Sequence, residues 1–153
     1  MPEPFRPPRG ITGFNIDDTP AQRRDRTNTF ERWAHALAQS MGQRATAIPS
    51  TGNYDIMQLE GSDRWLLHNH HLPLVGALAT RPQAGFAYAV QCEFVPVDIP
   101  THLTGWGPDI VAADELNRAL VDDDWTNFAP PARTHADRFK PTTIGHILFN
   151  HWD

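Results

Sequence analysis

Fourteen prolines stand among the 153 residues of this chain. Each fixes φ and removes a backbone donor, which excludes it from the interior of a helix and from the middle of a sheet. A chain punctuated this often folds into short regular elements joined by long connections. Pro2, Pro4, Pro7 and Pro8 force extended or polyproline geometry at the start. Residues 1–16 therefore read as a Pro-rich arm that packs on the rest of the chain or on a partner. Residues 17–153 read as a single domain. The apolar fraction of 40% and charged fraction of 20% suit a globular chain.

One long element escapes the prolines. Asp17, Asp18 and Thr19 are N-cap residue types, and Pro20 suits a first helical turn. Phe30, Trp33, Ala34, Leu37, Ala38 and Met41 recur at three- and four-residue spacing, and Gly42 stands where a C′ glycine belongs. This predicts a helix from Pro20 to Met41. Its first half carries Arg23, Arg24 and Arg26 without an apolar stripe, so it faces solvent or a partner.

Residues 53–60 and 63–70 read as a hairpin turning at Gly61-Ser62-Asp63. Leu72 to Ala79 is a short apolar run compatible with a strand or a buried helical turn. Phe86, Tyr88, Val90, Cys92 and Phe94 alternate with smaller or polar residues, which predicts a strand over Phe86–Val95. Gly105 to Asp109 is a turn, Ile110 to Val121 a short amphipathic helix, residues 126–141 a loop, and Thr143 to Trp152 a closing strand. The expectation is an α+β fold: a mixed or antiparallel sheet of four to five strands, with the long N-terminal helix packed on one face. Trp33, Leu37, Phe86, Tyr88, Phe94, Leu116, Ile147 and Phe149 are its expected core.

Charge narrows the function classes. The net charge of −5 does not suit a sequence-independent nucleic-acid binder, which needs a clustered basic surface. Protonating all eight histidines would give −5 + 8 = +3, so the sign changes in mildly acidic solution. Cys92, the one cysteine, excludes an intrachain disulfide. No apolar run approaches a membrane span, and the first residues lack the apolar core of a secretory signal. A cytoplasmic, soluble protein is expected. Twelve arginines against one lysine hint at a GC-rich bacterial genome.

The histidines carry the candidate chemistry. His68, His70 and His71 fall in one run, and His146 and His151 lie near the end. On a strand, His68 and His70 would project from one face and chelate a divalent metal such as zinc. A third ligand would come from His102, His135, His146, His151 or Asp98. Without a metal, His70 and His146 are candidates for acid–base catalysis.

The run His68-Asn69-His70 resembles the start of the histidine-asparagine-histidine nuclease core. That core needs a further Asn and His close downstream, and no Asn follows before Asn117 and no His between His71 and His102. The strand pair resembles the first half of a cupin signature, but Leu72-Pro73-Leu74-Val75-Gly76 stands where its glutamate belongs. Neither family is assigned. No serine sits in a nucleophile elbow and no glycine-rich phosphate loop is present.

These absences favour a non-catalytic protein that binds a macromolecule, another protein of the immunity, inhibitor or accessory kind. Arg23, Arg24, Arg26, Trp106 and Trp125 are its candidate contact residues, and self-association is compatible with them. The competing expectation is a small metal-dependent or histidine acid–base hydrolase acting on phosphodiesters.

Overall fold

The computed structural model describes residues 3–12, 18–50, 52–82 and 93–150. The long helix forms where its stripe predicts, as α1 (Pro20–Ser40). Thr19 caps it: its hydroxyl accepts from Gln22 N at 3.1 Å, and the Gln22 side chain accepts from Thr19 N at 2.9 Å. This capping box satisfies donors that the first turn cannot pair internally.

Five strands follow: β1 (Arg44–Ile48), β2 (Tyr54–Glu60), β3 (Arg64–Asn69), β4 (Leu74–Leu78) and β5 (Asp109–Ile110). They lie in sequence order in one sheet. The first three pairings are antiparallel and β4–β5 is parallel, so the sheet is mixed and the fold is α+β. β1 was not expected. It is an edge strand with three of its five residues exposed, so no apolar pattern announces it.

Three expectations need correction. Residues 110–121 do not form one helix: Ile110 belongs to β5, with Asp109 N donating to Pro73 O and Val111 N to Val75 O, and α2 spans only Ala113–Leu116. Residues 126–141 are not all loop, because α3 occupies Pro130–Phe139. Pro130 and Pro131 sit in its first turn, where a missing N–H costs nothing, so they mark a helix start. Residues 143–150 do not form a strand. Thr143 caps α4 (Ile144–Leu148) by accepting from His146 N at 3.3 Å, and Ile144, Ile147 and Leu148 turn inward at helical spacing. A run this short and apolar fits either period. Residues Phe86 to Cys92 of the expected strand, with His151 and Trp152, lie outside the described residues; Phe94 forms a single bridge to Leu78.

The sheet separates two apolar clusters. On one face α1 lays Phe30, Trp33, Ala34 and Leu37 over Met57, Leu59, Leu66 and Val75. On the other, Leu116, Ile147 and Phe149 pack on Tyr54, Ile56 and Leu67. Gly76 admits this second layer, since a Cβ there would stand 2.6 Å from Leu116 Cδ1. Of the expected core, Trp33, Leu37, Phe94, Leu116, Ile147 and Phe149 are buried, while Phe86 and Tyr88 lie outside the described residues.

The N-terminal arm packs on the second layer. Phe5 joins its apolar cluster and Ile11 is buried within it. Arg6 Nη1 donates to Asp124 Oδ1 at 2.7 Å, and Arg118 donates to both oxygens of the same carboxylate and to Phe5 O at 2.8 Å. Burial opposes ionisation of Asp124, but hydrogen bonds from Arg118, Val121 N and Arg6 outweigh it and bring its pKa to about 2.

These contacts tie the arm to the fold. Deleting residues 1–9 removes a charge-assisted hydrogen bond and a partly buried Phe, a loss of roughly 2 kcal/mol. The melting temperature should fall by roughly 4–8 °C, measurable by calorimetry. An unchanged melting temperature would show that the arm contributes nothing to the fold.

Candidate functional site

The histidine run lies at the end of β3, beneath the N-terminal half of α1. The hairpin register sets Asp55 of β2 directly opposite His68. His70 has the same parity one step beyond the strand, so both rings converge on one carboxylate. Asp55 Oδ2 accepts from His68 Nδ1 at 3.0 Å and from Thr27 Oγ1 at 2.9 Å. Asp55 Oδ1 accepts from His70 Nε2 at 3.0 Å.

A second acid, Asp18, stands just before α1. It pairs with Arg26, and its Oδ2 accepts from His71 Nδ1 at 3.0 Å, with Arg23 Nε 3.7 Å away. Arg26 Nε donates to His70 O at 3.1 Å and so links the two halves. Asn69, fully buried, fixes the turn between them. Its Oδ1 accepts from His71 N and Leu72 N, and its Nδ2 donates to Ile11 O and Leu148 O. The asparagine of the run is therefore structural.

The protonation states follow from these partners. Burial opposes ionisation of Asp55, but the hydrogen bonds from His68 and His70 outweigh it and hold the carboxyl well below the usual range. At Asp18 burial is likewise outweighed, by Arg26 and His71. Burial dominates at His68 and pulls its pKa down against the pull of Asp55; His71 behaves the same way against Asp18.

A neutral imidazole facing an ionised carboxylate must carry its proton on the nearer nitrogen. His68 is thus the Nδ1–H tautomer, and its Nε2 is a bare acceptor. Among the described residues nothing bonds to that atom, which is buried. The ring stacks on Phe30 with centroids 4.6 Å apart.

A cleft of about 210 Å³ opens beside the ring, lined by Asp25, Arg26, Thr29, His68, Pro73, Gly107 and Pro108. Gly107 has φ of +74°, and a Cβ on it would stand 2.7 Å from Trp33 Cδ1, so only glycine serves. That contact clamps the turn carrying Trp106, which is 42% exposed, against α1.

The remaining candidates are placed as follows. His68 and His70 share a face as expected, but each turns a nitrogen to Asp55. Among the described residues no group of three or more His, Cys, Asp or Glu is placed to hold a metal ion. His146 lies on α4 with Nδ1 3.2 Å from Thr142 N, outside the Asp55 and Asp18 network. His102 is exposed, and His135 stacks on Phe139 within α3. Arg24 is exposed, whereas Arg23 and Arg26 are held by Asp18. Trp125 is half-buried, with the Arg133 guanidinium 4.2 Å above its ring.

Sequence reasoning missed Asp55, Thr27 and the role of Asp18. A signal for Asp55 existed. Joining the expected hairpin arms end to end, 60 opposite 63, places 55 opposite 68, which is the observed register.

The lowered histidine pKa values have a consequence for stability. The unfolded chain takes up protons at His68 and His71 near pH 6.5, while the folded chain does so only at lower pH. Their contribution is therefore fully present above about pH 6.5 and is lost as pH falls below it. Each histidine limits the slope to roughly 1.4 kcal/mol per pH unit. Urea denaturation at about pH 7 and about pH 5.5 should show lower stability at the acidic value. Equal stability would mean that neither ring is held neutral.

No family model, no curated protein and no solved structure matches the chain.

Proposed function

We propose that the protein works by binding a macromolecular partner, another protein, through the end that carries Trp106 and the first half of α1. The observation that supports this reading is the Trp106 ring, 42% exposed on a turn clamped by Gly107. A large aromatic on a rigid mount beside a small cleft is the kind of group that dominates binding energies. Arg24, exposed in the first half of α1, supplies a charge for the same partner. The network behind this face is closed on itself, since Arg23, Arg26, His70 and His71 all bond to Asp18 or Asp55. It serves as rigid backing. An immunity, inhibitor or accessory role in a reducing compartment fits a chain with one cysteine. No helix among the described residues is long and apolar enough to cross a membrane.

A photo-crosslinking aromatic residue placed at position 106 tests this reading. One saturable cross-linked species is expected in extract of the native cell. Unlabelled protein should compete for it, and a Trp106→Ala, Arg24→Glu double variant with unchanged melting temperature should not. A cross-link to a second copy of this chain would make the face a self-association surface. Equal competition by the double variant would sink the assignment of this face.

A second reading, acid–base hydrolysis, is favoured by one observation. A neutral His68 with an anionic Asp55 behind it and an unpaired Nε2 has the pairing of a general base. No Ser or Cys lines the cleft, so Nε2 would take the proton of a water whose oxygen bonds to the substrate phosphorus as the ester P–O bond breaks and the alcohol or phenol leaves to solvent. The described residues do not assemble three donors for zinc, so this reading runs through His68 alone. Hydrolysis of bis(p-nitrophenyl) phosphate that disappears in His68→Gln would favour it over the binding reading.

A further inference from the structure

We infer that the cleft beside His68 takes a small neutral phenol-type group, whose hydroxyl donates to His68 Nε2. The inference stands whether or not the partner-binding reading holds.

The ring is fixed on two sides. Its Nδ1–H is held by Asp55 at 3.0 Å, and one face lies on Phe30 at an interplanar angle of 10°. Flipping the ring would break the bond to Asp55, so Nε2 keeps its direction. A buried polar atom with no partner costs roughly 1–3 kcal/mol, and such atoms in native proteins call for an explanation. His68 is 1% exposed in its side chain and is itself part of the cleft lining. A donor entering the cleft would remove that cost.

The chemistry of the donor follows from the tautomer. Nε2 offers a lone pair and no proton, so a carboxylate or phosphate oxygen would meet it lone pair to lone pair. A hydroxyl satisfies it. The Arg26 guanidinium at the cleft is already taken by Asp18 and by His70 O, and the acidic Asp25 side chain also lines the cleft, so an anion is disfavoured. Pro73, Gly107 and Pro108 give the cleft apolar lining and favour an apolar body behind the hydroxyl.

Size limits the rest. A volume of about 210 Å³ is below the roughly 300–1,000 Å³ of pockets for drug-sized ligands. It suits a single substituted ring. Because Nε2 is covered, the hydroxyl reaches it with a shift of the Arg26 or Thr29 side chain, both of which border the cleft. The ring belongs either to a free small phenol or to a tyrosine of a partner protein.

Nitrogen-15 NMR of the His68 side chain, in the full chain near neutral pH, tests this with four probes: p-cresol, toluene, benzoate and a blocked Gly-Tyr-Gly peptide. p-Cresol should move the Nε2 resonance and bind roughly three- to tenfold more tightly than toluene, the difference one net hydrogen bond makes. If the peptide displaces p-cresol, the natural source is a partner's tyrosine; if it does not, the source is a free phenol. His68→Phe keeps a ring against Phe30 but removes the acceptor, so it should abolish the preference for p-cresol over toluene. The wild-type comparison decides alone if that variant does not fold. Toluene binding as tightly as p-cresol, benzoate binding more tightly than either, or no probe moving Nε2 would each overturn the inference.

Discussion

Replacing Asp55 by alanine should destabilise the protein by about 2–4 kcal/mol. The substitution removes the acceptor of three hydrogen bonds, from Thr27, His68 and His70. His68 is fully buried, so its Nδ1–H would lose its partner with no water to replace it, at roughly 1–3 kcal/mol. Thr27 and His70 are half-buried and can hydrate, so each adds less. Asp55→Asn should cost less than Asp55→Ala, because its amide oxygen still accepts one bond. Urea denaturation of both variants checks the order. A loss under roughly half a kcal/mol for Asp55→Ala would show that the carboxylate does not anchor the histidines.

Leu37→Ala should cost a similar amount, about 2–5 kcal/mol, for a different reason. Leu37 is completely buried on the face of α1 that covers Met57, Leu59 and Leu66. Its truncation opens a cavity between the helix and sheet, and the lost apolar contacts are not replaced. Because the site depends on α1 lying flat on the sheet, the variant should also weaken the Thr27–Asp55 bond. Calorimetry measures the stability, and the hydroxyl proton exchange of Thr27 reports on the bond. A cost below roughly half a kcal/mol would remove Leu37 from the core.

What the sequence made legible was periodicity over long stretches. α1 has five buried apolar positions at helical spacing and a complete capping box, so propensity, pattern and cap agree. The β2–β3 hairpin has a turn of Gly61, Ser62 and Asp63 between two apolar runs, and its register followed. The second half of the chain lacks such agreement. Its helices are four, ten and five residues long, too short for a period to declare itself. Their fold is decided by tertiary burial against Tyr54 and Leu67, which local sequence does not record.

The site was half legible for a related reason. Three clustered histidines were visible in the run itself. Their partners were not, because Asp55 lies across a hairpin and Asp18 is more than fifty residues away. Asp18 also resembles a helix cap, a role that Thr19 fills. The metal expectation came from counting ligands along the chain. The fold sets His68 and His70 against the one carboxylate of Asp55 and His71 against Asp18, and at His68 this places the proton on Nδ1 and leaves one acceptor over.

The tautomer of His68 is the most direct test of this account. Nitrogen-15 and proton NMR of the folded chain should show Nδ1 protonated and Nε2 bare, both at neutral pH and in mildly acidic solution. Asp55→Ala should release that lock and populate the other tautomer. An Nε2–H tautomer in the wild-type protein, or an imidazolium at neutral pH, would contradict the account.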